Sequence, residues 1–363
     1  MSRLSGLGHR LYSGQSSVNI VGRRRTWYVV SGVILVVAIG SLLFRGLNLG
    51  IEFRGGGDFT IPNATCSIEQ ARAVAETKTG SQAIVTVSGQ GTVRVQTEAL
   101  STTESSQLAK ELSSTCGVGV DTIKIQVVGP TWGSEISKKA LQGLIVFVIL
   151  VALFMSIYFE WRMAVAGLIA LAHDLIITIG LYSLFGLEVT PATVIGILTI
   201  LGYSLYDTVV VFDKVKENTR NITGQSVLTY GEAANLALNQ TLLRSINTSI
   251  VALLPVLAIV FVGAGLLGAG TLLDLAVALA IGMAAGAYSS IFVATPFLVQ
   301  LKEKQPQMIA LATRVRSRRA NSAKNSAGAE GEPGADAGSV TTLVDSGPRQ
   351  QPKRVPRSKR SKK

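Results

Sequence analysis

The apolar positions of this chain are gathered into long runs. Six stretches are nearly free of charge: Trp27–Phe44, Ala140–Phe159, Met163–Phe185, Pro191–Phe212, Thr248–Val262 and Leu272–Leu298. Most approach the roughly 20 residues a helix needs to cross a hydrocarbon core. Lipid offers no partner for a backbone N–H or C=O, so each run must satisfy its own, and the pattern predicts six transmembrane helices. The fifth run is short, contains Pro255 and leads into the glycine-rich Gly263–Gly270. A re-entrant segment is the alternative there.

Between the first and second runs the period changes. Asp58–Ile61 reads as a strand. Ser67 with Gln70 three residues later reads as a helix start, followed by Ile68, Ala71 and Ala75 at helical spacing. Ala83–Val87 and Thr92–Gln96 alternate as strands, and Ser88–Gly91 is the turn between them. Thr103–Ser114 reads as a second helix and Ile123–Val128 as a last strand. The order β-α-β-β-α-β predicts a small ferredoxin-like α+β domain. Cys66 and Cys116 fall just before the first helix and just after the second. Antiparallel helices on one sheet face bring those ends together, so a disulfide is predicted, with a pair of small buried thiols as the alternative.

Composition sharpens this picture. Charged residues make up 15% of the 363, against about 25% in soluble domains, and the mean hydropathy is +0.41. The net charge of +12 is uneven, because 15 of the 34 Lys and Arg lie from Lys302 onward and Arg23, Arg24 and Arg25 precede the first run. Cations concentrate in the terminal segments, the Glu160–Arg162 turn and the 213–247 loop, whereas Gly186–Val189 and Gly263–Thr271 contain none. By the positive-inside rule both termini are cytoplasmic and the small domain is extracytoplasmic. The first 26 residues lack the apolar core of a cleavable leader, so the first run reads as a permanent anchor. The predicted organisation is a cytoplasmic segment 1–26, a first span 27–44, an extracytoplasmic domain 45–139, a five-helix bundle 140–301 and a disordered basic tail 302–363. The polybasic Pro352–Lys363 suits anionic lipid or ribosomal RNA; a solvated tail that helps set topology is the other reading.

No phosphate-binding loop, nucleophile elbow or metal-spaced Cys/His cluster occurs, and the only histidines are His9 and His173. The chemistry points away from an enzyme and implies no metal or cofactor. Attention falls on ionisable residues in the spans, which cost roughly 2.5–3.5 kcal/mol each near a span centre and often serve ion pathways. These are His173 and Asp174 in the third span, Asp207 in the fourth, Asp213 at its end, and Arg244 just before the fifth. Asp207 and Arg244 lie toward the same leaflet and can pair, either as a proton-responsive couple or as a static one. Asp213, Lys214, Lys216, Glu217 and Arg220 also suit an ordinary solvated helix end. His173 reads as a relay member or a satisfied core histidine. Gly282 and Gly286 form a close-packing face.

Four stretches in order carry a family resemblance: Gly50-Ile-Glu52-Phe53-Arg-Gly55-Gly56; Phe159-Glu-Trp-Arg162 ahead of His173-Asp174; Gly202-Tyr-Ser-Leu-Tyr-Asp207-Thr through Asp213 to Asn218; and Gln240-Thr-Leu-Leu-Arg244. Over about residues 15–300 the chain resembles the SecF family, accessory subunits of the bacterial Sec export machinery and similar to one half of an RND transporter. The resemblance implies a partnership with SecD beside the SecYEG channel, a translocating preprotein as substrate, and proton-motive-force-driven export. It also implies that Asp207 and Arg244 take part in proton coupling. Glu52 stands where Asp is frequent in the signature and Arg54 where Thr is frequent; the basic tail has no counterpart. The alternative function is half of an RND-like proton-coupled exporter of a small molecule or lipid. Six spans with so small an exterior domain leave little room for a substrate porter.

Overall fold

A computed structural model describes residues 17–88, 91–263 and 271–329. The chain divides into units 1–316 and 317–363. Helix α1 (Arg24–Arg45) ends at Gly46 and leads through β1 (Asn48–Leu49) and the single turn α2 (Ile51–Arg54) into the small domain.

That domain comprises β2 (Gly56–Ile61), α3 (Ile68–Thr79), β3 (Ile84–Ser88), β4 (Thr92–Thr97), α4 (Thr102–Cys116) and β5 (Lys124–Val128). The sheet order is β3-β4-β2-β5 and every neighbouring pair is antiparallel. Strand alternation sends Phe59, Ile61, Val93 and Val95 to one face, where Ala71 and Ala75 of α3 and Leu108 and Leu112 of α4 complete the core. Both helices begin with capping boxes, Ser67 with Gln70 and Ser101 with Glu104, and both end on a left-handed glycine, Gly80 and Gly117. Cys66 and Cys116 are joined by a disulfide, with Cα atoms 4.4 Å apart. Residues 89 and 90 of the turn expected at Ser88–Gly91 lie outside the described residues.

Among the described residues, six helices are long and apolar enough to cross a membrane. After α1 these are α5 (Pro130–Tyr158), α6 (Trp161–Phe185), α7 (Pro191–Asn218), reached through β6 (Glu188–Val189), and α8 (Tyr230–Val262). The sixth is compound. Helix α9 (Thr271–Ser289) passes through a π-helical segment, Ser290–Ala294, into α10 (Thr295–Glu303). In α6 and the sixth span 56% of the apolar window is buried, against 11%, 11% and 6% in α1, α5 and α8. The first pair forms the centre and the other three present broad apolar faces outward. Small residues let the central helices approach: a Cβ on Gly286 would sit 2.8 Å from Ser204 Cβ, and one on Gly196 2.9 Å from Ala278 Cβ.

Three boundaries differ from the sequence reading. Helix α5 begins at Pro130, so residues 130–139 belong to it and not to the small domain. Helix α8 begins at Tyr230, about five turns ahead of the apolar run. Its early turns are polar because they hold the N-terminal segment: Asn235 Oδ1 accepts from the N–H of Ile20 at 2.9 Å and Val21 at 3.1 Å, and Asn239 Oδ1 accepts from Val18 at 2.7 Å. Finally, residues 302–329, expected as disordered tail, are largely helical, closing α10 and forming α11 (Pro306–Ala329). Leu311 and Val315, one turn apart, are fully buried in the bundle core, so two anchors suffice where composition suggested none. The polybasic Pro352–Lys363, most of Gly263–Gly270 and His9 lie outside the described residues.

Candidate functional site

Helices α1, α6, α7 and α8 and the compound sixth span bring hydroxyl and carboxyl groups together inside the apolar bundle. Ser204 and Asp207 are three residues apart on α7 and so share a face. Asp207, 6% exposed, accepts from Ser245 Oγ of α8 at 2.7 Å and from Ser290 Oγ at 2.5 Å. Ser290 opens the π-helical segment, where one extra residue per turn re-aims the side chain. Asp174 of α6 is fully buried and accepts from Ser204 Oγ at 2.5 Å. Its other oxygen lies 3.2 Å from His173 Nδ1. The His173 ring stacks on Tyr288, whose hydroxyl is 2.9 Å from Ser31 Oγ of α1. His173 Nε2 is buried without a hydrogen-bond partner. The arrangement is a run of polar groups from α1 through α6 and α7 to α8, enclosed by hydrocarbon.

The expected Asp207–Arg244 pair is not formed. Arg244 immediately precedes Ser245 on α8, and neighbours on a helix point about 100° apart. Ser245 therefore faces Asp207 while Arg244 faces outward and is exposed. Asp213 is exposed and stands apart from the cluster. Nearby, Lys214 pairs with Glu217 at 2.8 Å and Lys216 covers the Tyr158 ring, as at an ordinary helix end. His173 and Asp174, adjacent on the helix, are within hydrogen-bond distance of each other. Sequence reasoning missed Ser204, Ser245 and Ser290. Hydroxyl residues in apolar runs were the available signal, but the π-segment that aims Ser290 has no sequence mark.

The glycine signature lies elsewhere, where the small domain meets the bundle. Parallel pairing of β1 with β6 aligns Asn48 with Glu188 and Leu49 with Val189, and Gly50 N–H donates to Val189 O at 2.9 Å. Phe53 packs in a cluster with Tyr182, Val189 and Ala278. Gly55 and Gly56 have φ of +79° and +151°, and a Cβ on Gly56 would collide with the Thr97 carbonyl oxygen. Glu52 Oε1 is 3.5 Å from Gln126 Nε2, and Oε2 is buried without a hydrogen-bond partner. The signature thus builds a junction between domain and bundle and contributes nothing to the polar cluster.

Six membrane-length helices around buried carboxylates define a multi-pass membrane protein. Residues 107–304 match the family described as Protein export membrane protein SecD/SecF, C-terminal, and residues 40–56 match the SecD/SecF GG Motif. The chain belongs to the SecD/SecF family. It is 50% identical to the Protein translocase subunit SecF of Streptomyces coelicolor, over 97% of this chain and 96% of that one. It is 46% identical to SecF of Mycobacterium tuberculosis, over 83% of this chain and 72% of the relative. Among solved structures it is similar to SecDF of Thermus thermophilus, with a TM-score of 0.71 and 32% identity. That match covers 80% of this chain and 39% of the longer one.

Proposed function

We propose that the chain is a SecF-type accessory subunit of the Sec preprotein translocase, in which Asp207 takes up and releases a proton during export. The observation that carries the proton step is the setting of Asp207: a buried carboxyl inside the spans whose partners are serine hydroxyls. A hydroxyl donates to a carboxylate and, after rotating, accepts from a carboxylic acid. Both protonation states therefore keep hydrogen bonds, and proton uptake leaves no unpaired charge behind. A carboxylate locked to an arginine lacks this property, since protonation strands the cation. The structure represents the hydroxyl-bonded state. Rotation of α8 by about 100° would replace Ser245 with Arg244 opposite Asp207 and favour release of the proton.

Family membership supports SecD as the partner, since the Thermus relative is named SecDF and exceeds this chain in length. The outward apolar faces of α1, α5 and α8 are where a second bundle and surrounding lipid would lie. The SecYEG channel and an unfolded preprotein complete the reading, and no catalytic step is assigned. Cation placement along the sequence supports cytoplasmic termini and an extracytoplasmic small domain. The strand order of that domain and its two helices on one face support a ferredoxin-like architecture. Each proton crossing the membrane supplies about 2.3 kcal/mol per 100 mV, enough for a few protons to bias a chain segment against sliding back. The test is export of a preprotein into inverted membrane vesicles, with and without a proton gradient. Asp207→Asn is expected to keep gradient-independent export and lose all gradient stimulation; normal stimulation in that variant would overturn the reading.

A further inference from the structure

The small domain joins the bundle by two chain crossings, and both are at glycine: Gly55–Gly56 between α2 and β2, and Gly129 between β5 and α5. A third connection is ionic. Alternation on β4 sends Val93 and Val95 into the domain core and leaves Arg94 and Gln96 on the opposite face. There Arg94 forks. Its Nε donates to Asp58 Oδ2 at 2.5 Å inside the domain, and its Nη1 donates to Glu188 Oε2 at 2.5 Å on the bundle. Gln96 Nε2 donates to Glu188 Oε1 at 2.8 Å and lies 3.3 Å from Asp58 Oδ2. The Asp58 and Glu188 side chains are only 6% and 16% exposed, so the tie is shielded from salt and water. Burial works against the charge on Arg94, but Asp58 and Glu188 outweigh it and hold the guanidinium above its ordinary value.

We infer that Arg94 is the positioning residue that couples the small domain to the spans, with Glu188 as its anchor on the bundle. Glu188 lies two residues ahead of Thr190, which caps α7 by accepting from Thr193 N–H. The Thr190 hydroxyl also donates to Asp274 Oδ2, at 3.1 Å, in the first turn of α9. A displacement of Glu188 is therefore delivered to α7 and α9 together. These are the helices that meet at Ser204 and Gly286 and lead to Asp207 and Ser290. The guanidinium suits the task because its planar fork engages two carboxylates at once, which a lysine ammonium on a flexible stem does not. With glycines at both crossings, withdrawal of Arg94 frees the domain to swing; return of Arg94 restores one orientation. The link to export rests on the reading of Asp207 above; the coupling of domain to spans does not.

Two measurements on the full chain in nanodiscs and vesicles separate these. Spin labels at Lys110→Cys on α4 and Phe185→Cys at the end of α6 report the distance between domain and bundle. The otherwise unaltered chain is expected to give one narrow distance peak. Glu188→Ala is expected to broaden it while leaving the Arg94–Asp58 pair inside the domain intact, so this variant carries the test even if Arg94→Gln fails to fold. Where Arg94→Gln does fold, it gives the same broadening, and adding Glu188→Ala to it changes nothing more. An unchanged peak in Glu188→Ala, or additive effects in the double variant, overturns the inference. In export assays Glu188→Ala is expected to lose most gradient stimulation and keep gradient-independent export; full stimulation overturns the link of this coupling to export. Asp207→Asn run alongside reports on the proton reading alone, so the two can fail separately.

Discussion

The molecule holds buried carboxylates in two ways. In the small domain Asp58 is met by a guanidinium; in the bundle Asp174 and Asp207 are met by serine hydroxyls. In the first arrangement the guanidinium can only donate, so it serves carboxylates and cannot accept from a carboxylic acid, and it is shared between Asp58 and Glu188. In the second a hydroxyl can donate to a carboxylate or accept from a carboxylic acid, so a hydrogen bond is available to either form. On the proposed function, the ionic fork serves a region that holds an orientation, and the hydroxyls serve a region that exchanges protons. The difference follows from donor chemistry and depends little on how deeply each group is buried.

The stabilities of the two regions should differ in kind. The largest effect is expected from Cys66→Ser. Opening a loop of 50 residues costs the small domain about 4 kcal/mol in the chain-entropy account, read as a lower denaturation midpoint for the domain with the bundle unaffected. Next comes Asp58→Ala. Arg94, 25% exposed, loses one of its two carboxylates and keeps Glu188, so the cost is about 2–3 kcal/mol, that of hydrogen bonds to a charged group; denaturant titration followed by circular dichroism checks it. Ser290→Ala should cost less, about 1–2 kcal/mol, because Ser245 still serves Asp207. A thermal melt in detergent in which Ser290→Ala equals or exceeds Asp58→Ala would break the distinction drawn above. Ser67→Ala should cost about 1 kcal/mol through loss of one helix cap.

The smallest effect concerns pH. Hydrogen bonds from Ser101 hold the Glu104 carboxyl below its ordinary value of 4.5. A depressed acid stabilises the fold above its unfolded pKa and loses that contribution as pH falls through the folded one. The gap in melting temperature between the parent chain and Ser101→Ala should therefore be widest at neutral pH and narrow as the solution is acidified below about pH 4, the loss of the helix cap remaining at every pH. Arg94 has the opposite sign. Its raised value keeps its contribution in place throughout the range below the arginine pKa, so ordinary buffers should not reveal it.

The parts legible in the sequence were those with a strict period. Strand alternation placed Phe59, Ile61, Val93 and Val95 together, apolar runs marked the six membrane-length helices, and Gly282 and Gly286 announced close packing. Composition misled where a few contacts outweighed an average. Helix α11 is polar and alanine-rich, yet Leu311 and Val315 anchor it; the early turns of α8 are polar because Asn235 and Asn239 grip the N-terminal segment. At the site, charge drew attention to Arg244, whereas the adjacent Ser245 faces Asp207. Opposite charge is a strong prior for pairing, but helix phase decides which neighbour faces inward, and a π-segment shifts that phase without a sequence mark. Arg94 and Glu188 are 94 residues apart, and only the folded sheet and the β1–β6 pairing bring them together.

Infrared difference spectroscopy of the reconstituted chain addresses the central claim most directly. On acidification, or on imposing a proton gradient across the vesicle, a protonated carboxyl C=O band is expected to appear, to be absent in Asp207→Asn and to shift in Ser290→Ala. A spectrum identical in the parent chain and Asp207→Asn would show that this carboxyl never changes its protonation, contradicting the account.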